Sequence, residues 1–210
     1  MKPSGTLEQR LESNLQKSIK GVTLYDVVQP PYEALVEEMA VPGEARVALI
    51  LAEGYLAIQW HLSTGLFRVL KEELNADGAF ILQRPDGSFE AHVVECKKTV
   101  DRRDWAKARA QMRWTLSRLR GLAGVLGIEL RRGVLYTAFR TDNLSPDSDP
   151  NPIAQRRPIG EGGAGLAFER RAEREWVDDE LSLTGFDGHF AHRKIQLDEH
   201  GAGRTHFACE

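Results

Sequence analysis

The chain predicts an α/β fold on a mixed sheet, and three stretches carry that expectation. GAFIL and FEAHVVECKK flank the turn QRPDGS and read as a β-hairpin. A helix beginning at Asp101 carries Trp105, Ala108, Met112, Leu116, Leu119 and Ala123 at spacings of three and four, which makes one apolar stripe. GVLYTAFRT, Gly133–Thr141, then reads as a strand. The hairpin supplies two antiparallel strands, and the last strand follows a crossover helix, so mixed pairing is expected.

The remaining elements follow in chain order. Thr6 is placed to cap a helix through Lys20, closed by Gly21. GVTLYDVVQ lies between Gly21 and Pro30-Pro31 and reads as a short strand, and residues 32–39 as a short helix before Pro42-Gly43. Ala45 to Leu74 reads as mainly helical, broken near Gly54 and Gly65. In the helix from Asp101, glycines at 121, 124 and 127 allow fraying or close packing. Residues 142–165 hold four prolines and four glycines, a long loop or linker. A short charged helix at about residues 168–180 and a polar, histidine-rich tail complete the chain. The organisation expected is a lead over 1–44, a core over 45–141, the linker over 142–165 and an extension over 166–210.

Bulk properties narrow the classes. With 210 residues, 41% hydrophobic and 28% charged, the chain suits one globular domain with an appendage. Its net charge of -3 gives no global basic field, so charge must be read locally. The first twenty residues lack the apolar run of a signal peptide, and ARVALILAEGYLAIQW (Ala45–Trp60) is too short for a span and carries Glu53. The two cysteines, Cys96 and Cys209, have no framework spacing. A cytoplasmic protein without a membrane is expected.

The chemistry sits around the hairpin. Pro85-Asp86 and Glu95-Cys96-Lys97 together spell a nuclease-like signature, but Asp86 is the wrong aspartate. On one strand it would lie about 30 Å from Glu95, at roughly 3.3 Å per residue, and Pro-Asp-Gly is explained by the turn. A hairpin folded about residue 86 instead places Asp77 opposite Glu95. Alternation then points Glu95 and Lys97 to one face and Cys96 to the other. Asp77, Glu95 and Lys97 thus gather at one sheet end. Two carboxylates suit a hard divalent cation, and a lysine beside them can orient a water or steady developing negative charge. The bland counterpart is a surface hairpin with an ordinary ion pair.

This arrangement resembles the PD-(D/E)xK, or restriction-endonuclease-like, nuclease superfamily over about residues 45–141. Asp77 matches the family's first aspartate, Glu95-Cys96-Lys97 its (D/E)xK, and the helix from Asp101 and strand from Gly133 match later elements of its αβββαβ core. Asn75-Ala76 stand where the family has its proline, and one strand of the core meander has no clear counterpart. The resemblance implies Mg²⁺- or Mn²⁺-dependent phosphodiester hydrolysis, with Asp77 and Glu95 as metal ligands and Lys97 as the catalytic lysine. It suggests Glu53 as a further ligand, because the family often draws one from the preceding helix. Gln111 resembles a helix glutamine of some relatives, although the tyrosine they carry four residues on is Thr115 here. By family analogy, a place in a defence, restriction or mobile-element system is expected.

Nucleic acid, DNA ahead of RNA, is the partner expected. From Lys97 to Arg132 there are eleven Lys or Arg against three Asp or Glu. Arg102, Arg109, Arg113 and Arg120 form one helical stripe suited to tracking phosphates, with Lys98 as a phosphate-facing neighbour. A solvated face is the plain alternative. His189, His192, His200, His206 and Cys209 offer zinc-type donors without a firm quartet, so the tail reads as a polar or partner-binding segment that supports a homo-oligomer or a partner protein. A non-catalytic subunit that keeps the fold is the second functional class.

Overall fold

The computed structural model describes residues 7–15, 17–19, 22–39, 44–62, 74–145, 172 and 174–207. The chain folds into a mixed α/β structure around a seven-stranded sheet. Its central strands are β6 (Leu56–Trp60), β7 (Gly78–Gln83), β8 (Phe89–Val100) and β9 (Leu130–Asp142). β6, β7 and β8 form an antiparallel meander, and β9 lies parallel to β8 after the long helix α2 (Arg102–Leu126). β3 (Tyr25–Val28) completes one edge. At the other, β11 (Phe190–Gln196) runs parallel to β9 and β10 (Glu180–Leu181) antiparallel to β11.

A second sheet of three strands has β5 (Ala45–Ile50) at its centre, between β4 (Glu33–Glu38) and β12 (Ala202–His206). β1 (Ser18–Ile19) and β2 (Val22–Thr23) make a small hairpin after α1 (Leu7–Asn14). The large sheet has an apolar cluster on each face. On one, Leu7 and Leu11 of α1 and the stripe of α2 pack on Ala91, Val93 and Leu135. On the other, Val36, Val47 and Leu49 pack on Val94, Cys96 and Tyr136. Alternation along β8 therefore decides which side chains face α2 and which face the small sheet.

Four sequence expectations are corrected. Ala45–Leu74 is not mainly helical over its described part. It forms β5 and β6, joined by a turn at Glu53-Gly54, where Gly54 has φ 81°. These two strands lie in different sheets, so the apolar run between them resembles the inside of one buried helix. Residues 63–73 lie outside the described residues. The segment read as a helix over 32–39 is β4, with the alternating burial of a half-covered strand. α1 ends at Asn14, not Lys20, and Thr6 lies outside the described residues. α2 neither frays nor packs tightly at its interior glycines: the helix runs on through Gly121 and Gly124, and a Cβ there would meet nothing within 4 Å.

α2 is the best-read element. Asp101 is its N-cap, accepting from Asp104 N at 2.8 Å, and Gly127 closes it in a left-handed conformation at φ 63°. Of the expected linker, residues 142–145 are described, and 146–165 lie outside. Of the expected charged helix, Arg174–Val177 form a helical turn. The tail is more ordered than its polarity implied. Trp176, Leu181, Phe190 and Ile195 are buried, and β11 and β12 complete both sheets.

Candidate active site

The site begins with the hairpin. β7 and β8 pair from Gly78↔Val94 to Gln83↔Phe89, the register expected for a fold about residue 86. Asp86 works in the turn: its Oδ1 accepts from Ser88 N at 2.9 Å and Ser88 Oγ at 2.6 Å, and Gly87 takes φ 79°. One residue before β7, Asp77 Oδ2 accepts from Cys96 N at 2.6 Å. The two strands are thus pinned together at their open end by the carboxylate itself.

Glu95 and Lys97 share the α2-facing side of β8, and Lys97 Nζ donates to Glu95 Oε1. Glu95 is 0% exposed, and its Oε2 has no hydrogen-bond partner among the described residues. Burial, then the charge of Asp77, pushes the Glu95 carboxyl up to about 8. Burial likewise raises Asp77 to about 7, reinforced by a hydrogen bond with Glu38 and its charge, and opposed by Cys96 N–H and Lys97. Cys96 lies on the opposite face, and burial raises its thiol well above the usual range. Two desolvated carboxyls that repel one another are poorly matched to a cation-free site.

One flank of α2 fastens the segment that carries Asp77. Gln111 Oε1 accepts from Lys97 Nζ at 3.2 Å, while its Nε2 donates to Asn75 O at 2.9 Å. One turn on, Thr115 Oγ1 accepts from Ala76 N at 2.8 Å. Arg118, nearly fully buried, donates to Leu74 O at 2.6 Å. The i, i+4, i+7 spacing puts all three on one helix face. Thr115 therefore stands in the site as a structural anchor.

The structure moves several predicted residues elsewhere. Glu53 is exposed in the β5–β6 turn, not buried in a helix, and Leu56 just after it pairs with Gln83. That is the turn end of the hairpin, six residues along the chain from Asp77, or roughly 20 Å. The nearby third carboxylate is instead Glu38, at the end of β4. Sequence reasoning missed it because its strand belongs to the other sheet and was read as helix. Gly78 makes its approach possible: a Cβ there would lie 2.5 Å from Val36 Cγ2.

The arginine stripe lies on the far side of α2. At about 100° per residue, Gln111 is about 180° around the helix from Arg102. Arg109, expected to hold phosphate, is instead enclosed: its Nε lies 3.1 Å from Glu175 Oε2, and its Nη2 donates to Ser182 O at 2.9 Å. The Arg120 guanidinium stacks 4.1 Å from the Phe186 ring centroid, and that of Arg113 lies 5.1 Å from Trp114. Arg102 is half-buried at the start of α2. Residues 174–190, which occupy this flank, are expected from sequence to be the end of a charged helix and the start of a polar tail. Lys98 is exposed and points away from Lys97.

The tail histidines do not converge. His192 is fully buried between Trp105 and Trp176, with Nε2 2.9 Å from Thr137 Oγ1. His200 lies in an exposed turn, and Cys209 is outside the described residues. Among the described residues, no three His, Cys, Asp or Glu side chains form a group that could hold a metal ion. Nor is any helix among them long and apolar enough to cross a membrane. Comparison with protein-family models, curated proteins and solved structures finds no match to this chain.

Proposed function

We propose that the chain is a divalent-metal-dependent nuclease that hydrolyses phosphodiester bonds of DNA. The observation that carries this reading is the state of Glu95. It is buried, one oxygen is on Lys97, the other is unpartnered among the described residues, and a second, half-buried carboxyl, that of Asp77, stands beside it. Two raised carboxyls sharing one lysine at one strand end are more than an ordinary ion pair requires. The chain order of three meander strands, a helix and a parallel strand from β6 to β9 supports a restriction-endonuclease-like core.

The residues fit the cation this reading implies. Mg²⁺ takes hard oxygens, is held by one or two carboxylates and keeps several waters, so Asp77 and Glu95 suffice. Bound there, it would acidify a water and offset negative charge on the phosphoryl group. The chain's own contribution is positioning. Gln111, anchored on Asn75 O, holds the Lys97 ammonium beside Glu95, where it can donate to the attacking water or a phosphate oxygen. Cys96 N–H fixes the orientation of Asp77.

The test compares wild type with Glu95→Ala and Lys97→Ala on plasmid, linear and single-stranded DNA and on RNA, with Mg²⁺, Mn²⁺ or EDTA. Wild type should cut DNA only with metal, and each variant should be slower by on the order of 100-fold or more. Variants that cut like wild type would remove the site assignment. DNA binding without cleavage under any metal would instead favour a non-catalytic subunit.

A further inference from the structure

A second concave site lies on the opposite flank of α2 from Glu95. It is a cleft of about 430 Å³ between the C-terminal half of α2 and the first residues of β9 and β11. Arg120, Arg131, Arg132 and Arg193 line it, with His189 at the rim. Leu116, Leu130 and Phe190 contribute apolar surface. Two acids also line it, Glu90 and Asp187. Glu90 is committed to Arg84, at 2.8 Å, and to buried His92. Arginine therefore dominates the lining.

The shape is built by specific residues. Gly133 lets the Phe190 ring lie across β9, since a Cβ there would sit 2.7 Å from Phe190 Cδ1. Phe186 packs edge-on against Phe190 at 5.6 Å, and Arg120 stacks on Phe186. An aromatic and aliphatic floor beside several guanidinium groups suits a flat ring carrying a phosphate, because guanidinium binds phosphate oxygens in pairs. The volume falls in the range of small-ligand sites.

We propose that this cleft binds a nucleotide-sized phosphate monoester, supplied either by a free nucleotide or by the 5′-phosphorylated end of a nucleic-acid strand. The site does not rest on the nuclease reading: it lies across α2 from the carboxylates and needs no metal.

The experiment titrates the full chain in EDTA with AMP, with inorganic phosphate, and with a labelled oligonucleotide bearing either a 5′-phosphate or a 5′-hydroxyl. Arg131 and Arg132 are exposed, so the double variant Arg131→Glu, Arg132→Glu should keep the wild-type fold and melting temperature. It should lose at least tenfold in affinity for the bound probe. Lys107→Glu, also exposed on α2, should bind as wild type. Saturable AMP binding assigns the free nucleotide, and preference for the 5′-phosphorylated oligonucleotide assigns the strand end. The proposal is overturned if neither AMP nor the phosphorylated oligonucleotide binds at millimolar concentration. It is equally overturned if the double variant binds unchanged, or if Lys107→Glu weakens binding as much as the double variant does.

Discussion

At the scale of single residues, Asp77 and Glu95 tie the stability of the fold to pH. In the unfolded chain, Asp77 and Glu95 lose protons near 3.8 and 4.5, whereas in the fold they keep them to about 7 and about 8. Between those limits the unfolded state binds fewer protons, so their contribution to stability falls as pH rises. Glu95→Gln should therefore melt higher than wild type in EDTA at pH 8, with the gap closing toward about pH 4. Each kcal/mol recovered is worth roughly 2–4 °C in a domain of this size, readable by a thermal melt. Mg²⁺ should raise the melting temperature of wild type and not of the variant. The buried histidines titrate in the other sense. Burial holds His92 below its usual range and His192 down to about 3. The unfolded chain takes up those protons first, so their contribution to stability is lost as pH falls below about 6.5. The cluster of Asp77, Glu95 and Lys97 was legible because strand alternation and hairpin register are short-range rules. Glu38 was not, because contact between two sheets leaves no local pattern.

At the scale of elements, α2 has two polar flanks with different tasks. Arg109→Ala should destabilise the fold by about 1–3 kcal/mol, because it removes a mostly buried ion pair with Glu175 and the bond to Ser182 O. A chemical-denaturation curve would show this, while DNA affinity in EDTA should be nearly unchanged. On the other flank, the proposed nuclease reading predicts that Gln111→Ala slows cleavage roughly tenfold with little change in melting temperature, since Lys97 loses its second anchor. Gly78→Ala places a methyl group against Val36 and should cost about 1–3 kcal/mol, seen as a lower denaturation midpoint. The arginine periodicity was legible, and its direction was not. A helical wheel shows that residues share a stripe, but not which neighbour the stripe meets. The 45–60 run failed differently: composition cannot separate one buried helix from two short strands in different sheets.

At the scale of the whole molecule, the two sheets are closed by strands from the far end of the chain. β11 pairs with β9, and β12 pairs with β5 through Ala202↔Arg46 to His206↔Ile50. A chain ending before Glu180 would leave both β9 and β5 with open edges. It should elute as aggregate in size-exclusion chromatography where the full chain elutes as a discrete species. Such long-range pairing is why the tail looked like an appendage: its short, charged strands are stabilised by partners far away in sequence. The same pairing has a consequence for biosynthesis. Arg46 leaves the ribosome well before Ala202, and at about 5–20 residues per second the β5 edge waits roughly 8–30 s for its partner. During that interval β4, and Glu38 at its end, rests on a half-built sheet. The nascent chain is then at its most adhesive and its least able to assemble the carboxylate cluster, so the hazard of its manufacture falls before that cluster is complete.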